Sequence, residues 1–305
     1  MKNAPNNSLI VLLLTILTAS MPAAANERFT YDVDLEAGTG WDSNVGLSEI
    51  DANTDNADQV TNVQIGAGIQ TRHTDDLRSV LRYDYSDTSY EEYSEFDLGL
   101  HQFQAELTTR FGLTDVGLMV NHFDGNLDGD DYLSLTRIAP NVSRLFNNRW
   151  FLRAAYVHTD TSYDEMPERD ASGLGLRTDA YYLLQGMEHY AAFSFALGRE
   201  DAEADELDYN RWQIGVTYAF PIRTNSFVTN LKLRARYEDR SYRSEDPVIG
   251  AARSDTRMRY SIEADMPLAD RLGITSYIDW SSSDSNLEAA DYDKRVAGIR
   301  LTLEF

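Results

Sequence analysis

The sequence predicts an all-β fold: a transmembrane, antiparallel, up-and-down β-barrel of about 14 strands, of the outer-membrane type. Three observations support this fold class. The chain begins with a stretch that has the features of a secretory signal peptide, apolar and polar residues alternate over most of the remainder, and the last strand ends in Phe305. A barrel wall exposes only alternate side chains to lipid, so its mean hydropathy stays low.

The N-terminal segment is predicted to direct export. Lys2 gives a basic start, residues 9–17 form a short apolar core, and Ala23 to Ala25 supply small residues for cleavage. The apolar core is shorter than the roughly 20 residues of a spanning helix. We therefore expect a signal peptide over 1–25 and one barrel domain over 26–305.

Composition excludes several function classes. The chain has 50 Asp and Glu against 27 Lys and Arg, a formal net charge of −23. Nucleic-acid binding and binding to anionic membrane surfaces both require a basic patch, so neither is expected. The chain has no Cys, which excludes disulfides and thiolate metal sites.

Alternation with a period of two begins at Phe29 and continues to Trp41. Asp32, Asp34 and Glu36 share the second face of this strand, and ionised carboxylates cannot face hydrocarbon, so that face must meet water. The repeated pattern predicts 14 strands, an even number that places both chain ends in the periplasm. The candidate strands are 29–43, 60–72, 77–86, 98–111, 115–123, 133–146, 150–160, 171–185, 190–199, 208–220, 226–241, 255–266, 271–281 and 294–305.

Connections of two kinds alternate along the chain. Short turns rich in Gly, Asn, Asp and Pro are typical of the periplasmic rim, and longer loops of the outer rim. Most of the acidic residues fall in the longer loops, so the negative charge is expected on one rim. The longer loops are predicted near 46–58, 86–97, 124–131, 160–170, 199–208, 239–255 and 284–293.

Aromatic residues are expected to form two girdles at the lipid–water interfaces. The set at the short-turn end is Phe29, Phe111, Phe146, Trp150, Tyr190, Phe220, Phe227 and Phe305, and the set near the longer loops is Trp41, Tyr83, Tyr85, Tyr156, Tyr237 and Trp280. The alternative is a β-sandwich with ordinary core aromatics.

The last strand resembles the C-terminal signature of bacterial outer-membrane barrels. Apolar residues occupy every second position before the terminal aromatic, as in Leu301, Leu303 and Phe305. The resemblance implies that these three residues form the signal that the barrel-assembly machinery reads.

The face opposite the apolar one is predicted to line a charged lumen. Two neighbouring strands carry five basic residues, and further arginines are expected on the same inner surface. Charged walls set the selectivity of a water-filled pore, so small anions are expected to be held there. Alternatively, the charges pair across the lumen and plug it, although 14 strands leave an interior too wide for side chains alone to fill. The predicted lumen residues are Lys232, Arg234, Arg236, Arg257, Arg259, Arg211 and Arg177.

One acidic loop resembles half of a calcium-binding loop. Asp124, Asn126, Asp128 and Asp130 follow the pattern D-x-[DN]-x-[DN]-G, but position twelve is Leu135 in place of Glu. A Ca²⁺ or Mg²⁺ site is one interpretation. Solvated hairpin residues that use Asp and Asn for turns are the other, and no other cofactor is predicted.

The sequence does not predict an enzyme. His122 precedes Phe123 and Asp124, and His158 lies four residues before Ser162. Neighbours of this kind are common in polar loops, and neither nucleophile-elbow nor metal-ligand spacing supports them.

A six-residue motif suggests a family. Gly40, Trp41, Asp42, Ser43, Asn44 and Val45 form the run GWDSNV. This run resembles the G-[YW]-D-S-N-[VP] signature in the C-terminal barrel of surface lipoprotein assembly modifiers. The resemblance implies a 14-stranded barrel that engages a surface lipoprotein. Those relatives usually carry helical repeats before the barrel, whereas here the first strand follows the predicted cleavage site closely.

These observations predict a porin-like channel for small polar or anionic solutes in the outer membrane of a Gram-negative bacterium. The alternative is an accessory barrel for surface lipoprotein export or assembly that engages a protein partner. A structural or adhesive barrel that binds through its acidic loops is a third possibility. The expected partners are outer-membrane lipid and lipopolysaccharide, the barrel-assembly machinery and small solutes, with a surface lipoprotein under the alternative.

Overall fold

The computed structural model of the chain describes residues 28–47, 49–224 and 227–305, so the predicted signal peptide (1–25) lies outside the described residues. Fourteen long strands form one closed sheet, and two short strands lie in the first loop. In chain order the strands are β1 (Phe29–Asp42), β2 (Gly46–Leu47), β3 (Ala52–Asn53), β4 (Asp58–Arg72), β5 (Leu77–Tyr90), β6 (Leu98–Phe111), β7 (Thr114–Leu127), β8 (Asp130–Phe146), β9 (Trp150–Tyr163), β10 (Ala171–Gln185), β11 (His189–Ala202), β12 (Tyr209–Arg223), β13 (Val228–Asp246), β14 (Ala251–Ala269), β15 (Leu272–Ser285) and β16 (Tyr292–Glu304).

The barrel closes between its first and last strands. β1 pairs antiparallel with β16 over a register that runs from Asp34 opposite Glu304 to Asp42 opposite Val296. The ladder extends one residue further, where the Phe305 amide donates to the Val33 carbonyl at 2.8 Å. Closure leaves no unpaired sheet edge, the condition for a sheet to cross a membrane. The predicted 14-stranded antiparallel barrel is confirmed.

The wall has an apolar outer face and a polar inner face. Large apolar side chains on the outer face are exposed, among them Trp41, Leu81, Phe103, Leu176 and Ile299. Since directly opposed residues of paired strands lie on the same face of the sheet, the strand register extends this face around the barrel. The inner face carries most of the wall's ion pairs.

The described residues contain no helix that could span a membrane.

The strands extend further toward the long-loop rim than the sequence pattern predicts. β5 continues to Tyr90, β7 to Leu127 and β13 to Asp246. Here the predictions of the strand ends were wrong, because alternation fades where both faces of a strand are solvated while the hydrogen-bond ladder continues. The predicted loop 124–131 is a two-residue turn in which Asp128 (φ 52°) and Gly129 (φ 87°) both have positive φ, as a type I′ turn requires. The predicted loop 239–255 is reduced to residues 247–250.

Three of the remaining long connections share one local structure. Short 3-10 helices at Ser94–Phe96, Pro167–Arg169 and Asp205–Leu207 are each followed by an aspartate. The carboxylates of Asp97, Asp170 and Asp208 accept hydrogen bonds of 2.7, 2.7 and 2.6 Å from backbone amides of Tyr90, Tyr163 and Ala202, respectively. Part of the acidic charge at this rim therefore closes loops.

Candidate functional site: the barrel mouth and lumen

The GWDSNV motif turns the chain away from the wall at the top of β1. Trp41 faces outward, whereas Asp42 is only 2% exposed. The Asp42 carboxylate accepts hydrogen bonds from the Asn44 amide at 3.1 Å and the Tyr90 hydroxyl at 3.0 Å, and Lys294 Nζ lies 2.7 Å from it. These contacts fix the start of the first loop, residues 43–57.

The next two motif residues form the neck of that loop. The Asn44 side chain accepts a hydrogen bond from the Asp55 amide at 3.0 Å and donates one to the Asp293 carbonyl at 3.3 Å. Val45 is fully buried, and its carbonyl accepts from the Thr54 amide at 2.9 Å. The neck carries the small β2–β3 hairpin, and the GWDSNV residues thus have a defined role in local structure.

The first loop reaches across the mouth, the barrel opening at the long-loop rim. Asp51 at its tip lies 2.8 Å from Arg253 on β14 and 3.3 Å from Arg169, which lies between β9 and β10. The order of strands around the barrel places β9 and β10 opposite β1. The loop therefore starts at β1 and is held both by β14 and, across the opening, by the connection between β9 and β10.

A buried set of charges holds the loop tip, and we name Asp51, Arg169, Arg253 and Asp255 the mouth clamp. Arg253 is 2% exposed and donates two hydrogen bonds to each of Asp51 and Asp255 at 2.8–2.9 Å. Burial acts to raise the pKa of Asp51, but hydrogen bonds and charge from Arg253 and Arg169 outweigh it, so the pKa lies below its ordinary value. The loop tip is therefore anchored as an anion.

Below the loop, the lumen contains a cavity of about 1080 Å³ lined by eight arginines. Five belong to the predicted lumen set and Arg153 is one of the further arginines expected on the inner surface, whereas Arg137 on β8 and Arg240 on β13 were missed. Arg137 was missed because Leu133 and Leu135 precede it on the same face, so the lumen side of that strand resembled a lipid-facing side in the sequence. The eight are Arg137, Arg153, Arg177, Arg211, Arg236, Arg240, Arg257 and Arg259.

Most of these guanidinium groups lack an acidic partner. Arg177, Arg240 and Arg257 pair with Asp179, Glu238 and Asp255, respectively. The other five have no carboxylate within 4.0 Å in the described part of the chain. We name these five the unpaired arginines: Arg137, Arg153, Arg211, Arg236 and Arg259. They give the cavity an excess of positive charge. Because charges in a partly enclosed space are poorly screened, this excess acts across the cavity.

Two of the unpaired arginines are direct neighbours. Arg236 on β13 and Arg259 on β14 occupy opposed positions in the register. Directly opposed like charges are unfavourable in a sheet. An anion between the two guanidinium groups would relieve that repulsion.

Lys232 and Arg234 have a different environment from the rest of the predicted set. Glu263 lies 3.5 Å from the Lys232 ammonium and 2.8 Å from the Arg234 guanidinium, and Arg300 approaches it at 3.8 Å. These two residues therefore share one carboxylate and lie outside the lining of the large cavity.

The opposite wall of the lumen carries an excess of acidic residues. On β1 and β5, Arg82 lies 2.6 Å from each of Asp32, Asp34 and Asp84, so one cation meets three anions. A second cavity, of about 540 Å³, is lined by Glu36 on β1, by Asp279 on β15 and also by Arg259. The lumen thus has a basic wall on β8–β14 and an acidic wall on β1, β4 and β5.

The predicted metal ligands do not converge. Asp124 pairs with His122 on the outer face, with 3.2 Å between Asp124 Oδ2 and His122 Nε2, while Asn126 donates to Asp131 at 2.9 Å. Asp128 lies in the turn, and Asp130 begins the next strand. Within residues 28–47, 49–224 and 227–305, no group of three or more His, Cys, Asp or Glu side chains could hold a metal ion. The divalent-cation site stays a prediction that this geometry does not support.

No protein-family model and no curated protein matches the chain. The lipoprotein-modifier resemblance therefore stays a prediction.

Solved structures match the chain over nearly its whole length. A loop L8 deletion mutant of OmpT, an outer membrane protein of Vibrio cholerae, is 10% identical with a TM-score of 0.51, over 91% of this chain and 100% of that one. An anion-selective porin from Comamonas acidovorans is 8% identical with a TM-score of 0.51, over 91% and 99%. OccAB3 from Acinetobacter baumannii is 8% identical with a TM-score of 0.51, over 90% and 99%. At these identities the likeness shows the fold alone: this chain has the fold of Gram-negative outer-membrane barrels.

Proposed function

We propose that this protein is an outer-membrane channel that passes small anionic solutes and whose mouth is narrowed by its first loop. The observation that carries the proposal is the set of unpaired arginines around a cavity of about 1080 Å³. Cationic groups that line a pore favour anions, and groups already paired with carboxylates would contribute little.

The acidic residues do not oppose this function. Those at the rim lie at the mouth. In the lumen, Asp179 and Glu238 are paired with Arg177 and Arg240, and on the other wall three carboxylates surround Arg82. Unpaired positive charge therefore remains near Arg236 and Arg259, where no carboxylate of the described residues lies within 4.0 Å of either guanidinium. An anion that passes the loop meets this region next.

The test is the reversal potential of the purified protein in planar bilayers under a KCl gradient. Wild type should give stepwise conductance with chloride preferred over potassium. Arg236→Gln with Arg259→Gln should lower the chloride preference several-fold, because both charges face the cavity. Arg199→Gln is the matched control: it removes one positive charge from the outer face, where Arg199 pairs with Asp201, and should leave the preference unchanged. The proposal would be refuted if wild type gave no conductance, or if the double variant kept the wild-type preference for chloride over potassium.

The second candidate is an accessory barrel for a surface lipoprotein. The observation that favours it is the role of the GWDSNV residues, which fold the first loop over the mouth as a structure that a protein partner could move. This candidate function predicts that the barrel alone gives no conductance in bilayers. When a defined lipoprotein is added, the barrel should bind it or begin to conduct. Ion-selective conductance by the isolated barrel would decide against it.

A further inference from the structure

An apolar surface lies inside the barrel, beside the unpaired arginines. Leu145, Phe151, Tyr181 and Leu183 line the large cavity, and Tyr190 joins them because it lies opposite Leu183 in the register. We name these five residues the apolar shelf. The sequence pattern predicted Tyr190 in the lipid-facing girdle, and that prediction was wrong, because its register position places it inside the barrel.

The shelf is continuous across four strands. Phe151 on β9 lies opposite Leu145 on β8 and Tyr181 on β10. The rings of Phe151 and Tyr181 are 6.0 Å apart in an edge-to-face arrangement, and those of Tyr181 and Tyr190 are 5.8 Å apart. Three aromatic rings and two leucines therefore form one patch near the short-turn end of the lumen.

This patch departs from the polar lining expected inside a channel barrel. Leu145 remains 47% exposed to the lumen, so its side chain is not covered by other described parts of the protein. The exposure of such a side chain to water is unfavourable, and a bound apolar group would remove that cost.

Positive charge lies at the edge of the shelf. Arg153 follows Phe151 by two residues on the same face of β9, a spacing of about 7 Å along a strand. No carboxylate of the described residues lies within 4.0 Å of its guanidinium, which contacts the Met119 sulfur at 3.9 Å. Arg177, on the neighbouring strand, lines the same cavity.

We infer that the lumen binds small monoanions that have an apolar body, such as an arylalkanoate: the acid group would lie at Arg153, and the apolar part on the shelf. The inference rests on the proposed anion channel and names its substrate class. The backbone spacing of about 7 Å lets one small molecule of this kind contact both Arg153 and the shelf. A cavity of about 1080 Å³ is ample for one.

The test compares phenylacetate, acetate and benzyl alcohol. Binding to the protein in detergent is measured by isothermal titration calorimetry, and block of the chloride current is measured in bilayers. Phenylacetate should bind about tenfold more tightly than acetate because its ring leaves water. It should also bind more tightly than benzyl alcohol, which has the ring and lacks the charge.

Two variants locate the effect. Phe151→Ser with Leu183→Ser should bring the ratio of phenylacetate to acetate affinity close to one. Val80→Ser is the matched control, because Val80 faces the lumen from the opposite wall, between Arg78 and Arg82 on β5, and it should keep the wild-type ratio. If the double variant does not fold, Leu145→Ser alone should still lower the ratio.

The results separate the two proposals. Equal affinity for phenylacetate and acetate, in a wild-type channel that prefers chloride, refutes the shelf inference and leaves the anion channel standing. Equal affinity for benzyl alcohol and phenylacetate also refutes it, because the charge would then play no part. If the wild-type protein shows no preference for chloride over potassium but still binds phenylacetate more tightly than acetate, the channel proposal is refuted and the binding site is supported.

Discussion

Asp51 joins parts of the chain that are far apart in sequence and hold the first loop across the mouth. Its carboxylate accepts from Arg253, 202 residues further along, and from Arg169. Because Arg253 is 2% exposed, removal of one carboxylate leaves a buried guanidinium with Asp255 as its remaining anion. Breaking one partner of a buried pair typically costs about 3–5 kcal/mol, more than an exposed surface pair contributes.

We therefore predict that Asp51→Asn releases the loop tip and raises single-channel conductance at neutral pH. Asp55→Asn is the matched control: it makes the same change on the same loop at an exposed residue whose carboxylate has one long contact, 3.4 Å to the Asn44 side chain. Asparagine also tolerates the positive φ of 54° at Asp55. Equal conductance of wild type and Asp51→Asn would show that the clamp does not narrow the pore.

The direction of the pKa shift adds a pH dependence to the same experiment. Because the pKa of Asp51 is lowered in the folded protein, the clamp is fully formed above the ordinary carboxyl pKa and is lost only as pH falls through the lowered value. Wild-type conductance should hence be flat from about pH 8 to 5. A conductance rise in that interval would assign the opening to another group.

At the scale of elements, alternation predicted the strands well and the loops poorly. A strand with lipid on one face and water on the other must alternate, so 14 strands could be counted from the sequence. The path of the first loop depends on a contact between Asp51 and Arg253, which no local pattern contains. The shelf was hidden for another reason: Tyr181-Tyr182 and Leu183-Leu184 put apolar residues on both faces of β10, and the inner half looked like part of the lipid-facing half.

The first loop as an element gives a sharper test than any one of its residues. Thr54 and Val45 are already hydrogen-bonded at 2.9 Å, so residues 46–53 can be replaced by Asn-Gly, which closes a two-residue type I′ hairpin on that pair. We predict a several-fold larger conductance with folding retained, because the barrel's hydrogen-bond ladders do not pass through the loop.

A replacement of 46–53 by eight Gly and Ser residues is the control for this excision. It keeps the length of the loop and removes the clamp, so its conductance should lie between those of wild type and the excised protein. If the excised protein conducts like wild type, the loop does not limit the pore and the narrowing lies deeper in the lumen.

For the molecule as a whole, the division of the lumen into a basic and an acidic wall follows from closure. Each strand alone presents a mixture of charges on its inner face. Only the circular order, with β8–β14 on one side and β1, β4 and β5 on the other, separates most of the unpaired arginines from Asp32 and Asp34. The sequence identified most of the charged lumen residues, but which of them would be neutralised required the register.

Closure also gives Phe305 two roles that can be separated. Its backbone completes the β1–β16 seam through two hydrogen bonds to Val33, of 2.8 and 3.2 Å, and its ring lies 5.5 Å from the Arg271 guanidinium. Two net hydrogen bonds at the end of a long ladder contribute about 1–3 kcal/mol, a small part of a seam of this length. If Phe305 is in addition a recognition signal, its loss should lower insertion in cells far more than it lowers the stability of the folded barrel.

We predict that deletion of Phe305 lowers the heat-modifiable, membrane-inserted fraction in cells several-fold, while refolding of the purified chain into detergent is nearly unchanged. Phe305→Tyr, which keeps the ring and the backbone bonds, should insert normally. An equal loss in cells and in detergent would mean that Phe305 acts through seam stability, because no assembly machinery is present in the second experiment. Normal insertion of the deletion variant would remove the terminal aromatic from the assembly signal altogether.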